Sequence, residues 1–286
     1  MAKVQILGSA AAEGIPAMFC NCRVCMEAWK NGGKDMRKRA AYKLNDHVRI
    51  DFGPDTLQQE FQYQLHSENL KHVFITHNHE DHIDTHLLFY RMPGFSKVDP
   101  DNILNIYGTT GVFHKIQKDF WQSFAFNGDY SKFRLNPVMI NLFEPVILED
   151  EDMEFYALKA DHMGNAPHEL PVFYVFRNGS SWAMIANDTG YFREETWAFL
   201  EEKKFKFDLV ISDCTGGIRD FERNHMSGTW VLETKKHLEK MGSVTANTKY
   251  FINHFSHNGQ ATHAELEAYY NPHGIQVCYD GLEIEY

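Results

Sequence analysis

A layered α/β architecture is expected from three features of this 286-residue chain. Short β-branched and aromatic runs alternate with helical patterns instead of segregating into blocks. No linker, internal repeat or low-complexity tract interrupts them, so residues 1–286 read as a single domain. Strand after strand ends in residues that bind metals. A sheet whose strand ends converge on one edge builds a site there, on loops held by a rigid scaffold.

The elements follow in order. Val4–Leu7 is an apolar run broken by Gln5; with one Lys ahead of it and Gly8 behind, it suits a first strand better than a signal peptide. Val48–Asp51 and His72–Thr76 are compact apolar runs, with a helical pattern over Asp55–His66 between them. Asn105–Tyr107 reads as a strand before a helix over Thr110–Phe124. Strands are expected at Glu154–Lys159, Val172–Arg177 and Trp182–Ala186, then a helix over Arg193–Lys204. A strand at Leu209–Ser212, a helix over Ser227–Met241 and a strand at Tyr250–Asn253 complete the alternation. The last helix, His263–Tyr270, has a capping box, with Thr262 as N-cap and Glu265 three residues on.

Composition narrows the function. The hydrophobic fraction of 43% supports a sizeable core without disulfide staples. The net charge is −11, and the only short basic cluster, Met36-Arg37-Lys38-Arg39, reads as a solvated face. Large nucleic acids are poor substrates for such a balance. A small phosphorylated molecule is still compatible, because bound cations bring their own charge. No segment approaches the roughly 20 apolar residues of a membrane span. Five cysteines, three of them clustered, point to a cytoplasmic protein with reduced thiols and metal sites.

Thr76-His77-Asn78-His79-Glu80-Asp81-His82 is the richest stretch. Imidazoles and a carboxylate at i, i+2, i+4 and i+5 fit poorly on a helix but well on a tight loop leaving a strand. Such a loop aims two ligands one way and two another, and so serves two metals. Later strand exits supply the rest: Asp161-His162, Asn187-Asp188-Thr189-Gly190, Ser212-Asp213-Cys214 and His254-Phe255-Ser256-His257. The division expected is His77, His79 and His162 on one metal, and Asp81, His82 and His254 on the other. Asp188 bridges them. Two ions about 3.5–4 Å apart sharing a hydroxide make a hydrolytic centre. Asp51 follows the Val48–Ile50 run. It either accepts the free N–H of a liganding imidazole or caps backbone N–H groups at the Phe52-Gly53-Pro54 turn.

Cys20-Asn21-Cys22-Arg23-Val24-Cys25 supplies three thiolates, one ligand short of a closed tetrahedral zinc site. His257 is the best fourth ligand, three residues after His254, with His225 the alternative. A zinc there would pin the N-terminal loop to the loop carrying His254.

These residues, in this order, resemble the metallo-β-lactamase superfamily, and within it the PhnP-type phosphodiesterases. The resemblance spans nearly the whole chain. It rests on Gly8-Ser9-Ala10, Gly14-Ile15-Pro16-Ala17, the cysteine motif, Ile50-Asp51-Phe52-Gly53 and the His77–His82 loop. Asn187-Asp188-Thr189, Asp213-Cys214-Thr215, Asn224-His225, His254–His257 and Tyr279-Asp280-Gly281-Leu282-Glu283-Ile284 extend it. It implies a four-layer αββα sandwich of metallo-β-lactamase type and a cytoplasmic hydrolase. The cofactors implied are two divalent metals at the catalytic centre (Mn or Zn, with Fe a further candidate) and one structural Zn on Cys20, Cys22, Cys25 and His257. Asp81, at the metals, and His225, which assists phosphate chemistry in that family, are the residues expected in the reaction. Cyclic phosphodiesters as substrates and a homodimer are implied too.

The opening Gly-Ser-Ala-Ala and Cys-Asn-Cys also resemble the PqqB proteins, whose first metal loop is less complete. Thioester or lactone hydrolysis, or a PqqB-like carrier role, are the other readings. Transfer-RNA 3′-processing enzymes share a terminal His-Phe-Ser but lack the cysteine cluster. Two stretches depart from the family pattern. Met163–Pro171, with His168, is longer than expected, and Phe124–Asn141 reads as extra loop. Both are placed to line or cover a substrate pocket.

Overall fold

The computed structural model describes residues 2–124, 126–164 and 169–286. Two seven-stranded sheets face each other. The first runs, edge to edge, Glu283–Glu285, Lys3–Gly8, Ala41–Lys43, Val48–Ile50, His72–Phe74, Leu104–Gly108 and Leu135–Met139. The second runs Gln276–Val277, Lys249–Asn253, Leu209–Asp213, Ser181–Ala186, Val172–Asn178, Met153–Lys159 and Pro145–Leu148. Helices cover both outer faces, giving the αββα sandwich.

Period-2 patterning assigns the layers. Ile6, Tyr42, Ile50 and Phe74 of the first sheet meet Phe155, Tyr174, Ile185, Ile211 and Phe251 of the second in one buried cluster. Phe74 stacks on Phe155 with ring centroids 3.8 Å apart, so the sheets interlock through aromatic rings. The alternate residues point outward. Val73, Ile75 and Ile106 take Val112, Ile116 and Phe120 of the Thr110–Phe124 helix. Val210 and Ile252 take Leu200, Val231, Leu238 and Leu266 from three further helices.

Strand direction positions the site. Val48–Ile50, His72–Phe74 and Leu104–Gly108 are parallel neighbours. In the second sheet Ser181–Ala186, Leu209–Asp213 and Lys249–Asn253 are parallel. Met153–Lys159 shares their direction, being separated from them by one antiparallel strand. The strands leading to Asp51, His77, His162, Asp188, Asp213 and His254 therefore end on one edge of the sandwich, where open α/β sheets bind ligands.

Two expectations need correction. Phe124–Asn141 is not all loop: Leu135–Met139 is an edge strand paired to Leu104–Gly108. The basic cluster is not a solvated face. Arg37 is only 5% exposed, and its guanidinium donates to Ser9 Oγ and the Cys278 carbonyl at 2.8 Å and meets His263 Nδ1 at 2.9 Å. Lys38 pairs with Asp280, and Arg39 with Asp55. Three cations thus tie the N-terminal segment to distant parts of the chain. The helix Arg23–Asn31, which carries Cys25, also went unanticipated.

Candidate metal centre

The His77–His82 loop leaves its strand and turns at once, so alternate side chains face opposite ways. Ring nitrogens of His77, His79 and His162 converge: His77 Nε2 and His162 Nε2 lie 2.8 and 3.2 Å from His79 Nδ1. On the other side Asp81, His82 and His254 form a second cluster, with His82 Nε2 3.1 Å from Asp81 Oδ2. Asp188 stands between. Its Oδ2 is 2.9 Å from His82 Nε2 and 3.0 Å from His254 Nε2, and its Oδ1 is 3.7 Å from His162 Nε2.

These contacts test whether divalent cations fit. His82 Nε2, His254 Nε2 and Asp188 Oδ2 are all buried, and among the described residues none has a hydrogen-bond partner despite the short separations. Buried polar atoms are normally satisfied. On the other side His162 Nδ1 faces the Asn224 carbonyl and so carries that neutral ring's single N–H, which leaves its Nε2 an acceptor turned toward further imidazole nitrogens. Ligand atoms converging on cations account for both clusters, and the donors, nitrogen and carboxylate oxygen, suit zinc-like divalent ions.

The far side of three of the rings is held. His82 Nδ1 is 2.7 Å from Asp51 Oδ2, His162 Nδ1 is 2.9 Å from the Asn224 carbonyl, and His254 Nδ1 is 2.8 Å from Thr215 Oγ1. Each anchor directs Nε2 inward. Asp51 therefore orients an imidazole. The backbone group it also accepts from is the N–H of Thr76, at 2.9 Å, not the Phe52–Pro54 turn. Asp51, Asp188 and His254 all have positive φ, +63°, +50° and +67°. A left-handed conformation at a non-glycine residue costs on the order of 1 kcal/mol or more and is tolerated where surrounding contacts over-determine it. Here it bends each chain sharply as it leaves its strand, into the site.

Electrostatics follow burial and proximity. Burial opposes charge on His254, but Asp188, Asp81 and Asp213 outweigh it and raise its pKa to about 10. His77 goes the other way: burial and the neighbouring His82 hold it well below the usual imidazole range. Burial works against ionisation of Asp188, yet His254 and His82 pull its carboxyl well below the ordinary value.

Two contributors took on defined roles only in the fold. Asp213 is fully buried; it accepts from the backbone N–H groups of Asp188, Thr215 and Met226 and lies 3.2 Å from His225 Nδ1. Its position at a strand exit flagged it, but nothing in the sequence separated an organising carboxylate from a ligand. Glu13 accepts from Ser256 Oγ and Asn258 Nδ2. Glu13, Met163, Gly164, Asp188, His225 and His254 are among the residues around a cavity of about 530 Å³. Asp161, by contrast, is turned to Arg193, whose Nε donates at 2.8 Å. His168 lies outside the described residues.

Cys20, Cys22, Cys25 and His257 gather into a separate cluster, with His257 Nδ1 3.4 and 3.5 Å from the sulfurs of Cys20 and Cys22. Its donors fit a four-coordinate zinc. The other candidate for the fourth position, His225, sits beside Asp188 and Asp213 instead. The Cys22 thiol is pulled down to about 6: burial opposes the thiolate, but the Cys25 N–H and His257 outweigh it. No helix among the described residues is long and apolar enough to cross a membrane.

Residues 47–254 match the model of the beta-lactamase superfamily domain. Among solved structures, a diphosphatase from the PhnP family superposes with a TM-score of 0.73 at 21% identity, covering 100% of this chain and 98% of that one. Zinc-bound PqqB from Methylobacterium extorquens also superposes at 0.73, with 16% identity over 99% of this chain and all of that one. At such identities the likeness is one of fold. Among curated proteins, the octanoyltransferase of Porphyromonas gingivalis (strain ATCC BAA-308 / W83) is 32% identical over 82 residues, 27% of this chain, and the chain spans only 16% of its length.

Proposed function

The chain belongs to the beta-lactamase superfamily, and on that footing we propose that it is a metal-dependent hydrolase whose substrate is a small, cyclic phosphodiester. The observation that carries this reading is His225. Asp213 takes its Nδ1, and the ring, with 22% of its side chain open, lines the cavity beside Asp188. A hydrolase of carboxylic esters or thioesters has one developing oxyanion to meet. A phosphodiester carries additional charged oxygens, and a histidine fixed at the edge of the metal cavity is placed to donate to one of them or to the leaving alkoxide.

Divalent ions bound in the two clusters supply this site with the acidity and positive charge that phosphoryl hydrolysis requires. His77, His79 and His162 would hold one, and Asp81, His82 and His254 the other, with Asp188 between the two clusters. Asp51, the Asn224 carbonyl and Thr215 keep the rings aimed, so the site is organised before substrate arrives. Manganese or zinc, a small-molecule substrate, a homodimer and a cytoplasmic setting belong to the same reading.

The test combines metal analysis with turnover. Bis-p-nitrophenyl phosphate and ribose cyclic phosphates are assayed beside a thioester panel, with and without chelator. Chelator-sensitive turnover of the phosphodiesters is expected. Activity indifferent to metal removal, or turnover confined to thioesters, overturns the assignment.

A further inference from the structure

A second concavity, of about 900 Å³, lies against the metal loop, with Asn78, Glu80, Lys115, Lys118, Trp121 and Phe126 among its walls. Its size falls in the range of small-molecule pockets, about 300–1,000 Å³. Asn78 and Glu80 alternate along the loop with His79 and Asp81, which line the metal cavity. The two cavities therefore share one wall.

The opposite wall is the helix Thr110–Phe124. Val112, Ile116 and Phe120 are spent on the core. Lys115, Lys118 and Trp121, at i, i+3 and i+6, turn to the cavity. Trp121 is 66% exposed, a large ring that the core does not use. Lys115 is engaged by two carboxylates, Glu80 at 2.8 Å and Asp119 at 3.3 Å. Lys118, on the same wall, forms no ion pair among the described residues.

The walls are fastened together. Glu169 Oε1 accepts the Asn78 N–H at 3.0 Å, and its other oxygen occupies the space over Gly111, where a Cβ would come within 1.6 Å. Glu169 also packs over Gly164, a residue of the metal cavity. The glycine on the helix, the carboxylate and the metal loop fit as one assembly. The two stretches that departed from the family pattern, Phe124–Asn141 through Phe126 and Gly128 and Met163–Pro171 through Glu169, thus meet at this cavity.

Building on the hydrolase reading above, we propose that this cavity receives the non-reacting part of the ester, a flat aromatic group of nucleobase size that stacks on Trp121, with Lys118 meeting an anionic oxygen at the rim. An exposed indole and an unpaired ammonium recognise a ring and a negative charge together.

Isothermal titration calorimetry on the metal-loaded protein compares adenosine 5′-monophosphate with ribose 5-phosphate, which share a phosphate and differ by the base. The nucleotide is expected to bind about tenfold tighter or better, within the range for a base stacked on an aromatic ring. Trp121→Ala should erase that ratio and Trp121→Phe should keep most of it. Trp121 is exposed, so neither variant threatens the fold, and a thermal melt verifies this. Equal affinity of the two probes, or a ratio unchanged in Trp121→Ala, overturns the proposal. The readout is binding, so it stands apart from turnover. A protein that discriminates the base yet hydrolyses no phosphodiester would refute the proposed reaction and leave the pocket intact.

Discussion

His263 should make the folded state acid-sensitive by a calculable amount. The ring is 6% exposed; Arg37 Nη2 lies 2.9 Å from its Nδ1, and Glu267 Oε1 is 2.9 Å from its Nε2. The guanidinium can only donate, so Nδ1 must accept and the proton sits on Nε2, facing Glu267. A second proton would set two buried cations against each other. Burial and Arg37 accordingly depress the pKa from 6.5 to about 4, against the pull of Glu267. The unfolded chain takes up its proton near 6.5, so between that pH and about 4 the unfolded state binds more protons and stability falls as pH falls. The contribution is intact above 6.5 and fully lost below about 4. Taking both pKa values through the linkage relation gives a loss of about 2.5 kcal/mol between about pH 7.5 and about pH 4.5. His263→Gln keeps an acceptor and a donor but cannot titrate. Urea unfolding of the native and variant proteins at both pH values isolates the His263 site, with its neighbour Glu267, because the titrating groups elsewhere, the metal ligands included, are common to the two. The native protein should lose about 2–3 kcal/mol more than the variant. Parallel losses would show that the ring is not held neutral by Arg37, and the argument for a buried Arg37–His263 contact would fail with it.

Two further outcomes bear on the metal centre. Asp188→Ala should lower metal content, by plasma emission spectrometry, by at least one ion per chain, and reduce turnover on the order of 100-fold or more; full occupancy of both ions would contradict its bridging place. Gly53→Ala puts a Cβ 1.9 Å from the Asp81 carbonyl oxygen, so the metal loop must shift. A destabilisation of about 1–3 kcal/mol and weakened binding at the Asp81 cluster are expected. An unchanged melt with unchanged metal affinity would show that the loop yields freely.

What the sequence revealed, and what it hid, divides by physical cause. The metal loop, the strand exits and the Thr262–Glu265 box are local patterns, legible because each is made by neighbours. The capping box is present as read, and the helix runs His263–Tyr270. Ala41–Lys43, Gln276–Val277 and Glu283–Glu285 are two or three residues long, too short for any periodicity to show, and exist because neighbouring strands pair with them. Leu135–Met139 contains Pro137, which argues against a strand interior; it is tolerated because this is the edge of the sheet. Arg37 was misread because its partners Cys278 and His263 lie 241 and 226 residues away. A charged run looks solvated when the groups that bury it are that distant. Asp213 was hidden by chemistry rather than distance. A carboxylate that satisfies three backbone N–H groups and one that binds a cation are the same letter.

The cysteine cluster and the metal centre are mechanically one structure. His254 faces Asp188, and three residues later His257 faces the thiolates. The turn between them is not free. Phe255 exchanges backbone hydrogen bonds with Ser9 and Ala11, and Arg37 lies over its ring at 4.3 Å. Glu13 accepts from Ser256 and Asn258, and its Oε1 is 3.5 Å from His257 Nε2, the ring nitrogen turned away from the thiolates. A ligating histidine whose second nitrogen meets a carboxylate has its ring plane fixed. Here the same carboxylate also lines the metal cavity. His254 holds a left-handed backbone at φ +67°, a conformation that relaxes unless its flanks are clamped. The clamp is supplied on one side by the sheet and on the other by the cysteine cluster. The cysteine cluster therefore bears on the metal centre through geometry, by holding the turn that carries His254 toward Asp188.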